Sequence, residues 1–534
     1  MELVLVDTSQ IQSFIFGSNR LRENVGASFL VSHATETWPK ELLANNKSDK
    51  IIYSGGGNVL LAFDDANTAT NFIRALSIKI IEEAPSLQIA FARQEMTGAF
   101  HKVYQDLQLQ LREKKRRGEI SVPLLGLGVT RRCESTGLPA NSMSREIEED
   151  SDTSFPASNE VVEKSRMGDE STKSLHIRFE KILGKEYEFP RQLDNLGRSE
   201  GEHSHIAVVH IDGDGMGQRI QGLIADKPEF KDAKVCLKDF SDKLNTVGST
   251  ALANVLAKLV KSIDVRGENA DKRGIISHMI ANHEIAKIIL NKNNKNGKFF
   301  LPFRPIIDGG DDLTFVCDGR LGIALAIAFM QEFERQSVAL NLPGGKATAC
   351  AGIAIVKVHY PFARAYSIAE ELCSNAKTYK RKHKLDGAYF DWHFALSGLS
   401  GNLEAIREKE YRAQFDDRPW LHLRPYALGK NPEKTYQTWR NLEETVSAFQ
   451  DPKDWLERRN KLHALEAALR QGPDHVGWFR QKYNDNKKFP TTDAALDGWQ
   501  DTGWDKDRQR CGYFDALELA DWYMPLANEK GGES

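Results

Sequence analysis

The stretch IIDGGDDLTFV, residues 306–316, decides how this chain is read. Ile306-Ile307 and Leu313 to Val316 are apolar or β-branched, the composition of two short buried strands. Between them, Gly309-Gly310 is a two-residue hairpin signal, because both turn positions can require φ > 0. Asp311 and Asp312 stand directly behind that turn. Aspartate is depleted in strands and costly when buried unpaired, so the pair needs either solvent or a counter-charge. Alone, such a turn fits a solvated hairpin as well as a site, and a second acidic cluster is needed to separate the two.

That cluster lies in HIAVVHIDGDGMGQRI, residues 205–220. A nearly continuous apolar strand, Ala207 to Ile211, ends in Asp212, Gly213 and Asp214. Residues two apart on a strand face the same side, so Asp212 and Asp214 share one face. Carboxylates at a strand end, beside glycines that let backbone approach a ligand, suit a hard cation such as Mg²⁺ or Mn²⁺. Two acidic points on adjacent antiparallel strands would form a two-metal site for in-line phosphoryl transfer. Strand alternation predicts that Asp311 and Asp312 do not both point at Asp212. Asp311 is assigned to metal, and Asp312 to a secondary role toward a 3′-hydroxyl or a second cation.

A counter-charge follows on the helix predicted over 362–380. Ala365, Ile368, Ala369, Leu372, Cys373 and Ala376 recur at helical spacing as one buried face. Lys377 comes next, and residues 377–384 carry five basic residues and no acid. Such a run can simply complement the helix dipole. Placed after the strand that follows Gly-Gly-Asp-Asp, it could also grip a triphosphate.

The 534 residues are 40% hydrophobic and 28% charged, a globular composition with room for about three domains. The net charge of −3 argues neither for nor against nucleic acid. Six scattered cysteines without a Cys-x-x-Cys pair exclude a zinc ribbon and disfavour a disulfide framework. No leader-like start and no run of about 18 apolar residues occurs, so the expected compartment is the cytoplasm, with no membrane partner. The N-terminus reads as strand (2–16), helix (20–36), Gly-rich hairpin KIIYSGGGNVLLAF (50–63) and helix (66–85). This echoes the later units with Gly55-Gly56-Gly57-Asn58 in place of the paired acids. Residues 145–170 hold nine acids against three bases and read as a loosely ordered linker. A helix is expected within 238–262, a polar excursion over 264–300, a helix over 321–338 and a strand over 346–356. The fold class is α+β: a first α/β unit (1–125), a linker (126–202), a catalytic unit (203–395) and a helical C-terminal domain (396–534).

The series VVHIDGDGMG, GGDDLTFVC and ACAGIAIVKVHYPFARAYSIAEELCSNAKTYKRKHKLDGAYF resembles the palm domain of GGDEF-type nucleotide cyclases and of the large polymerase-cyclase subunit of type III CRISPR effector complexes. DTSQIQSFIFGSNRLRENVGASFLVSHA resembles that subunit's first, degenerate palm. The resemblance implies two ferredoxin-like palms, the second binding ATP with divalent metals and joining ATP into cyclic oligoadenylates. It places metal on Asp212, the Gly213 carbonyl and Asp311, phosphate on Lys377, and a purine near the Ser241 hydroxyl. Asp214, Gly309 and Gly310 fall among its nucleotide-binding positions. Guide-RNA effector subunits and target RNA are the implied partners, and self-association stays open. The palm starts at residue 1 with no His-Asp dipeptide, so a nuclease activity is not expected, and TRRCESTGLPA keeps only Cys133 of the family's zinc segment. An RNA-effector scaffold without turnover, a solitary cyclase making a cyclic dinucleotide, a templated polymerase and a GTP-using cyclase remain alternatives.

Overall fold

The computed structural model describes residues 1–43, 50–117, 128–147, 152–196, 204–267, 272–280, 282–395, 401–431, 434–452, 455, 459–483 and 488–527. The first unit runs β1 (Glu2–Ser9), α1 (Ile11–Phe16), α2 (Leu21–Ser32), α3 (Trp38–Leu42), β2 (Ile51–Gly55), β3 (Asn58–Phe63), α4 (Ala66–Glu83), β4 (Gln88–Glu95) and α5 (Phe100–Arg117). Its antiparallel sheet has the order β2-β3-β1-β4. A connecting region follows with β5 (Ser142–Ile147), β6 (Asp152–Ala157), α6 (Asn159–Arg178), α7 (Glu180–Leu183) and β7 (Tyr187–Glu188).

The second unit comprises β8 (His205–Gly213), α8 (Met216–Ala225), α9 (Phe230–Lys261), β9 (Asp264–Arg266), β10 (Arg273–Ile280), β11 (His283–Ile289), β12 (Phe299–Phe300), β13 (Phe303–Asp308), β14 (Asp312–Asp318), α10 (Gly322–Ala339), β15 (Ala349–Lys357), α11 (Phe362–Lys382) and β16 (Tyr389–Ala395). The C-terminal region holds α12 (Leu403–Glu410), β17 (Tyr426–Ala427), α13 (Trp439–Phe449), α14 (Arg459–Gln471), α15 (Pro473–Tyr483), α16 (Trp499–Thr502) and α17 (Phe514–Ala520). The second sheet has the order β13-β14-β8-β15-β16-β17. Its first four strands repeat the first sheet's order, so the chain carries two ferredoxin-like palms and a mainly helical C-terminal region.

Alternation along β8 positions the site. Ala207, Val209 and Ile211 are fully buried against the α9 and α10 face. Ile206 and Val208 face the opposite core, which α11 covers with Ala365, Ile368, Ala369 and Leu372. Each such side chain fully buried stabilises the layer by roughly 1.5–3 kcal/mol. His210 and Asp212 continue the α11-facing row, so the strand delivers polar groups beneath that helix at the end of an apolar ladder.

Three expectations need correction. The hairpin turn is Gly310-Asp311, because Gly309 N–H donates to the Asp312 carbonyl at 2.9 Å and closes the ladder one residue later than expected. Gly310 alone takes the positive φ, at 82°. Residues 145–170 are not a loose linker where described: α6 is capped by Ser158 and packs on α2. A Cβ at Gly26 would stand 1.7 Å from the Lys164 carbonyl, so the two helices touch backbone to backbone there. Its charge is absorbed by pairing, as in the buried Lys164–Glu160 contact at 2.5 Å. Residues 148–151, the most acidic part, lie outside the described residues. The excursion at 264–300 contains a three-stranded sheet, β11-β10-β9, whose Ile276 and Ile288 join the core.

Candidate active site

In the second palm, β14 and β8 pair so that Asp312 lies directly opposite Asp212. Directly opposed residues on antiparallel strands point to the same side. Asp311 occupies the turn, where strand alternation does not apply. Its carbonyl accepts from Gly213 N–H at 3.1 Å, and a Cβ added to Gly213 would meet the Asp311 side chain at 2.8 Å. Both carboxylates of the pair therefore adjoin Asp212, contrary to the alternation argument. Burial, then the Asp212 charge, pushes the pKa of Asp311 and of Asp312 up to about 7.

Lys377, in the last turns of α11, answers this charge. Its Nζ donates to Asp212 Oδ2 at 2.5 Å and to the Gly213 carbonyl at 2.9 Å. A cationic nitrogen thus sits on the two groups assigned to metal, and the donor set of carboxylates and a carbonyl suits a hard divalent cation. Lys382, by contrast, is exposed in the final helical turn.

Asp214 is drawn elsewhere. It accepts from Thr348 Oγ1 and Lys380 Nζ, both at 2.8 Å, and from Cys350 Sγ at 3.3 Å. It anchors the loop before β15 to α11. Ser241 on α9 donates to the Ser54 carbonyl of the first palm's hairpin at 3.5 Å, so it lies where the two Gly-rich hairpins face each other. Gly309 closes the turn, and a Cβ there would approach Gly56 at 3.9 Å.

Two contributors escaped the sequence reading. His210, two residues before Asp212 on the same face, lies with Nδ1 3.1 Å from Thr314 Oγ1 and 3.5 Å from Asp312 Oδ1. Burial lowers its pKa and favours the neutral ring. A histidine breaking an otherwise apolar strand was the available signal. Gly248 on α9 is the other: a Cβ there would stand 2.0 Å from the Gly310 carbonyl, so only glycine lets the helix lie on the turn.

The first palm repeats the arrangement residue by residue. Asp7 lies opposite Asn58, as Asp212 lies opposite Asp312. Lys115 Nζ donates to Asp7 Oδ2 at 2.6 Å and to the Thr8 carbonyl at 2.8 Å, as Lys377 does in the second. Gly57 and Asn58 stand where the second palm has Asp311 and Asp312, so two of three carboxylates are missing.

Fold and site together define a palm domain with acids gathered at the ends of its central strands. Residues 205–386 match the family model for Cas10/Cmr2, second palm domain. Among solved structures, the chain is similar to one in the Csm1–Csm4 cassette in complex with one ATP, at 13% identity and TM-score 0.51, over 98% of this chain and 70% of that one. The cassette in complex with cA3 aligns at 13% identity and TM-score 0.49, over 98% and 69%. The Csm1–Csm4 subcomplex of the type III-A CRISPR-Csm interference complex aligns at 12% and 0.47, over 97% and 70%. No curated protein matches the sequence. Among the described residues, no helix is long and apolar enough to cross a membrane.

Proposed function

We propose that this chain is a metal-dependent nucleotidyltransferase that converts ATP into a cyclic oligoadenylate-type second messenger in CRISPR-associated or related antiviral defence. The observation that carries this reading is the gathering of Asp212, Asp311 and Asp312 around a site where Lys377 bridges Asp212 and the Gly213 carbonyl. The Cas10/Cmr2 palm match supports it, and the similar chains come from cassettes solved with ATP or cA3. The proposed partners are ATP, guide-RNA effector subunits and target RNA, and the proposed compartment is the cytoplasm. The catalytic unit is 203–395, with 1–125 as the degenerate palm, 126–202 connecting them and 396–534 as the C-terminal domain.

In this reading a 3′-oxygen forms a bond to the α-phosphorus of a second ATP, and the bond to the leaving pyrophosphate breaks. Asp212, the Gly213 carbonyl and Asp311 would hold Mg²⁺ or Mn²⁺, which when bound offsets triphosphate charge. Lys377 then turns from Asp212 toward the pyrophosphate. Asp312, with its pKa near 7, is matched to take the hydroxyl proton at neutral pH, and His210 orients it. Ser241 lies between the hairpins, near where the base would rest. The test is incubation of the purified chain, alone and with guide-RNA effector subunits, with ATP and Mg²⁺ or Mn²⁺, reading products by mass spectrometry. Cyclic adenylates from wild type and none from Asp311→Ala are expected. Near-wild-type product from Asp311→Ala overturns the reading.

A further inference from the structure

Arg178 is the last residue of α6, and its guanidinium reaches two elements of the second palm at once. Nη1 donates to Asp308 Oδ2 at the end of β13, at 2.5 Å, and Nη2 donates to Ser249 Oγ on α9, at 2.6 Å. The guanidinium carbon sits 4.9 Å over the Phe179 ring, which is buried in one core with Leu244, Val247 and Ala251 of α9. The Asp308 side chain is 18% exposed, and no other side chain among the described residues pairs with it. Without Arg178 that carboxylate would stand alone in a poorly solvated place.

Both acceptors adjoin the acidic turn. Asp308 immediately precedes Gly309, whose N–H closes the hairpin on the Asp312 carbonyl. Ser249 immediately follows Gly248, the residue that lets α9 lie on the Gly310 carbonyl. Close packing there limits how near α9 can come, but it does not keep the helix in place. Arg178 supplies the tie. Its two nitrogens share one rigid plane, so α9 cannot move off β13 without breaking one of two charge-assisted contacts. The other end of α6 is fastened to the first palm: Lys164 Nζ donates to the Phe14 carbonyl at 2.6 Å, and Arg22 of α2 pairs with Asp169 at 2.5 Å. The 20 residues of α6 span about 30 Å, so one helix joins the first palm to the turn of the second.

We propose that Arg178 is a positioning residue for nucleotidyl transfer: it clamps α9 to β13, fixes the Gly310-Asp311 turn, and makes α6 the link through which the first palm sets the place of Asp311. This rests on the cyclase reading of the same site. Arg178 touches none of the groups assigned to metal, and acts only through the turn that carries one of them.

The test compares the full chain with Arg178→Ala, Arg178→Lys and Arg166→Ala by hydrogen–deuterium exchange in chelator and by ATP turnover with Mg²⁺. In Arg178→Ala, exchange of the segment 306–316 should quicken at least about tenfold, while α14 and α17 exchange as in wild type. A misplacement of ~1 Å can cost about a hundredfold in rate, so kcat should fall at least about tenfold. KM for ATP should stay within about twofold, and the Mg²⁺ concentration for half-maximal turnover should rise, a shift that a general loss of stability does not produce. Arg178→Lys keeps the charge but not the rigid fork, and should recover only part of the rate. Arg166, on the same helix, pairs with Glu163 at 2.8 Å and Glu83 at 3.2 Å on the surface, and its alanine variant should match wild type throughout. If wild type makes no cyclic adenylate, the cyclase reading fails, and the exchange of the turn still decides whether Arg178 holds it. Unchanged exchange at 306–316, equal quickening everywhere, unchanged turnover in Arg178→Ala from an active wild type, or full turnover in Arg178→Lys overturns the proposal.

Discussion

Raising the pH should destabilise the metal-free protein through Asp311 and Asp312, and a divalent cation should cancel the effect. Each carboxyl is raised from 3.8 to about 7 by burial and by the charge of Asp212. An aspartate whose pKa is higher in the folded state binds its proton more tightly when folded. Its stabilising contribution is complete below the unfolded value and is lost as the pH climbs through the folded one. A carboxyl held that far above its free value corresponds to roughly 4 kcal/mol for an isolated, fully buried group. The Asp312 side chain is 37% exposed, so solvent screens much of this. Lys377 is already paired with Asp212 at 2.5 Å and partly neutralises the cluster. A combined loss of about 1–3 kcal/mol between pH 5 and pH 8 is the expected size. Urea unfolding of the full chain in chelator at those pH values measures it, with Asp311→Asn and Asp312→Asn as companions. Each asparagine variant should flatten part of the pH dependence, and millimolar Mg²⁺ should restore wild-type stability more at pH 8 than at pH 5. Equal pH dependence in wild type and both variants would refute the reasoning, since the carboxyls would then be as solvated as in the unfolded chain.

Lys377→Gln should lower ATP turnover at least about tenfold, or about 1.4 kcal/mol at the transition state, while Lys382→Gln leaves it unchanged; equal behaviour of the two in a steady-state assay sinks the phosphate role. Because Lys377 holds Asp212 in a pair only 18% exposed on the lysine side, the same change should also cost about 1–3 kcal/mol of metal-free stability by urea unfolding, recovered with Mg²⁺. Gly248→Ala gains nearly 1 kcal/mol of helix propensity, yet its methyl must displace the Gly310 carbonyl, so turnover should collapse while circular dichroism keeps its helical signal. His210→Leu should reduce kcat with little change in KM, and His210→Asn, which returns a donor near the Nδ1 position, should recover part of it; a change confined to KM would show that the ring does not orient Asp312.

Local pattern made much of this protein legible. An apolar strand that stops at Asp-Gly-Asp, a Gly-rich turn that carries two acids, and a helix with one apolar face ending in lysine each follow from the chemistry of a few adjacent residues. The repeated order of elements followed too, because strand and helix periodicities differ. The linker reading failed because composition counts charge without partners, and the partners of α6 lie on α2, more than a hundred residues away. The Asp-Gly-Asp pair looked like one unit, yet Lys380 and Thr348 hold Asp214 while Lys377 holds Asp212.

The sequence by itself determined that two palms exist, that the second carries acids at its strand ends, and which lysine follows them, since strand, turn and helix signals are short-range. Only the tertiary structure decided that Asp312 faces Asp212 and that the turn falls at Gly310-Asp311, because register is set where three strands and a covering helix must pack together. It likewise decided that Gly248 must be glycine and that His210 lies beside Asp312. Each of these is a contact between elements far apart in the chain, and local composition does not encode which distant backbone a side chain will meet.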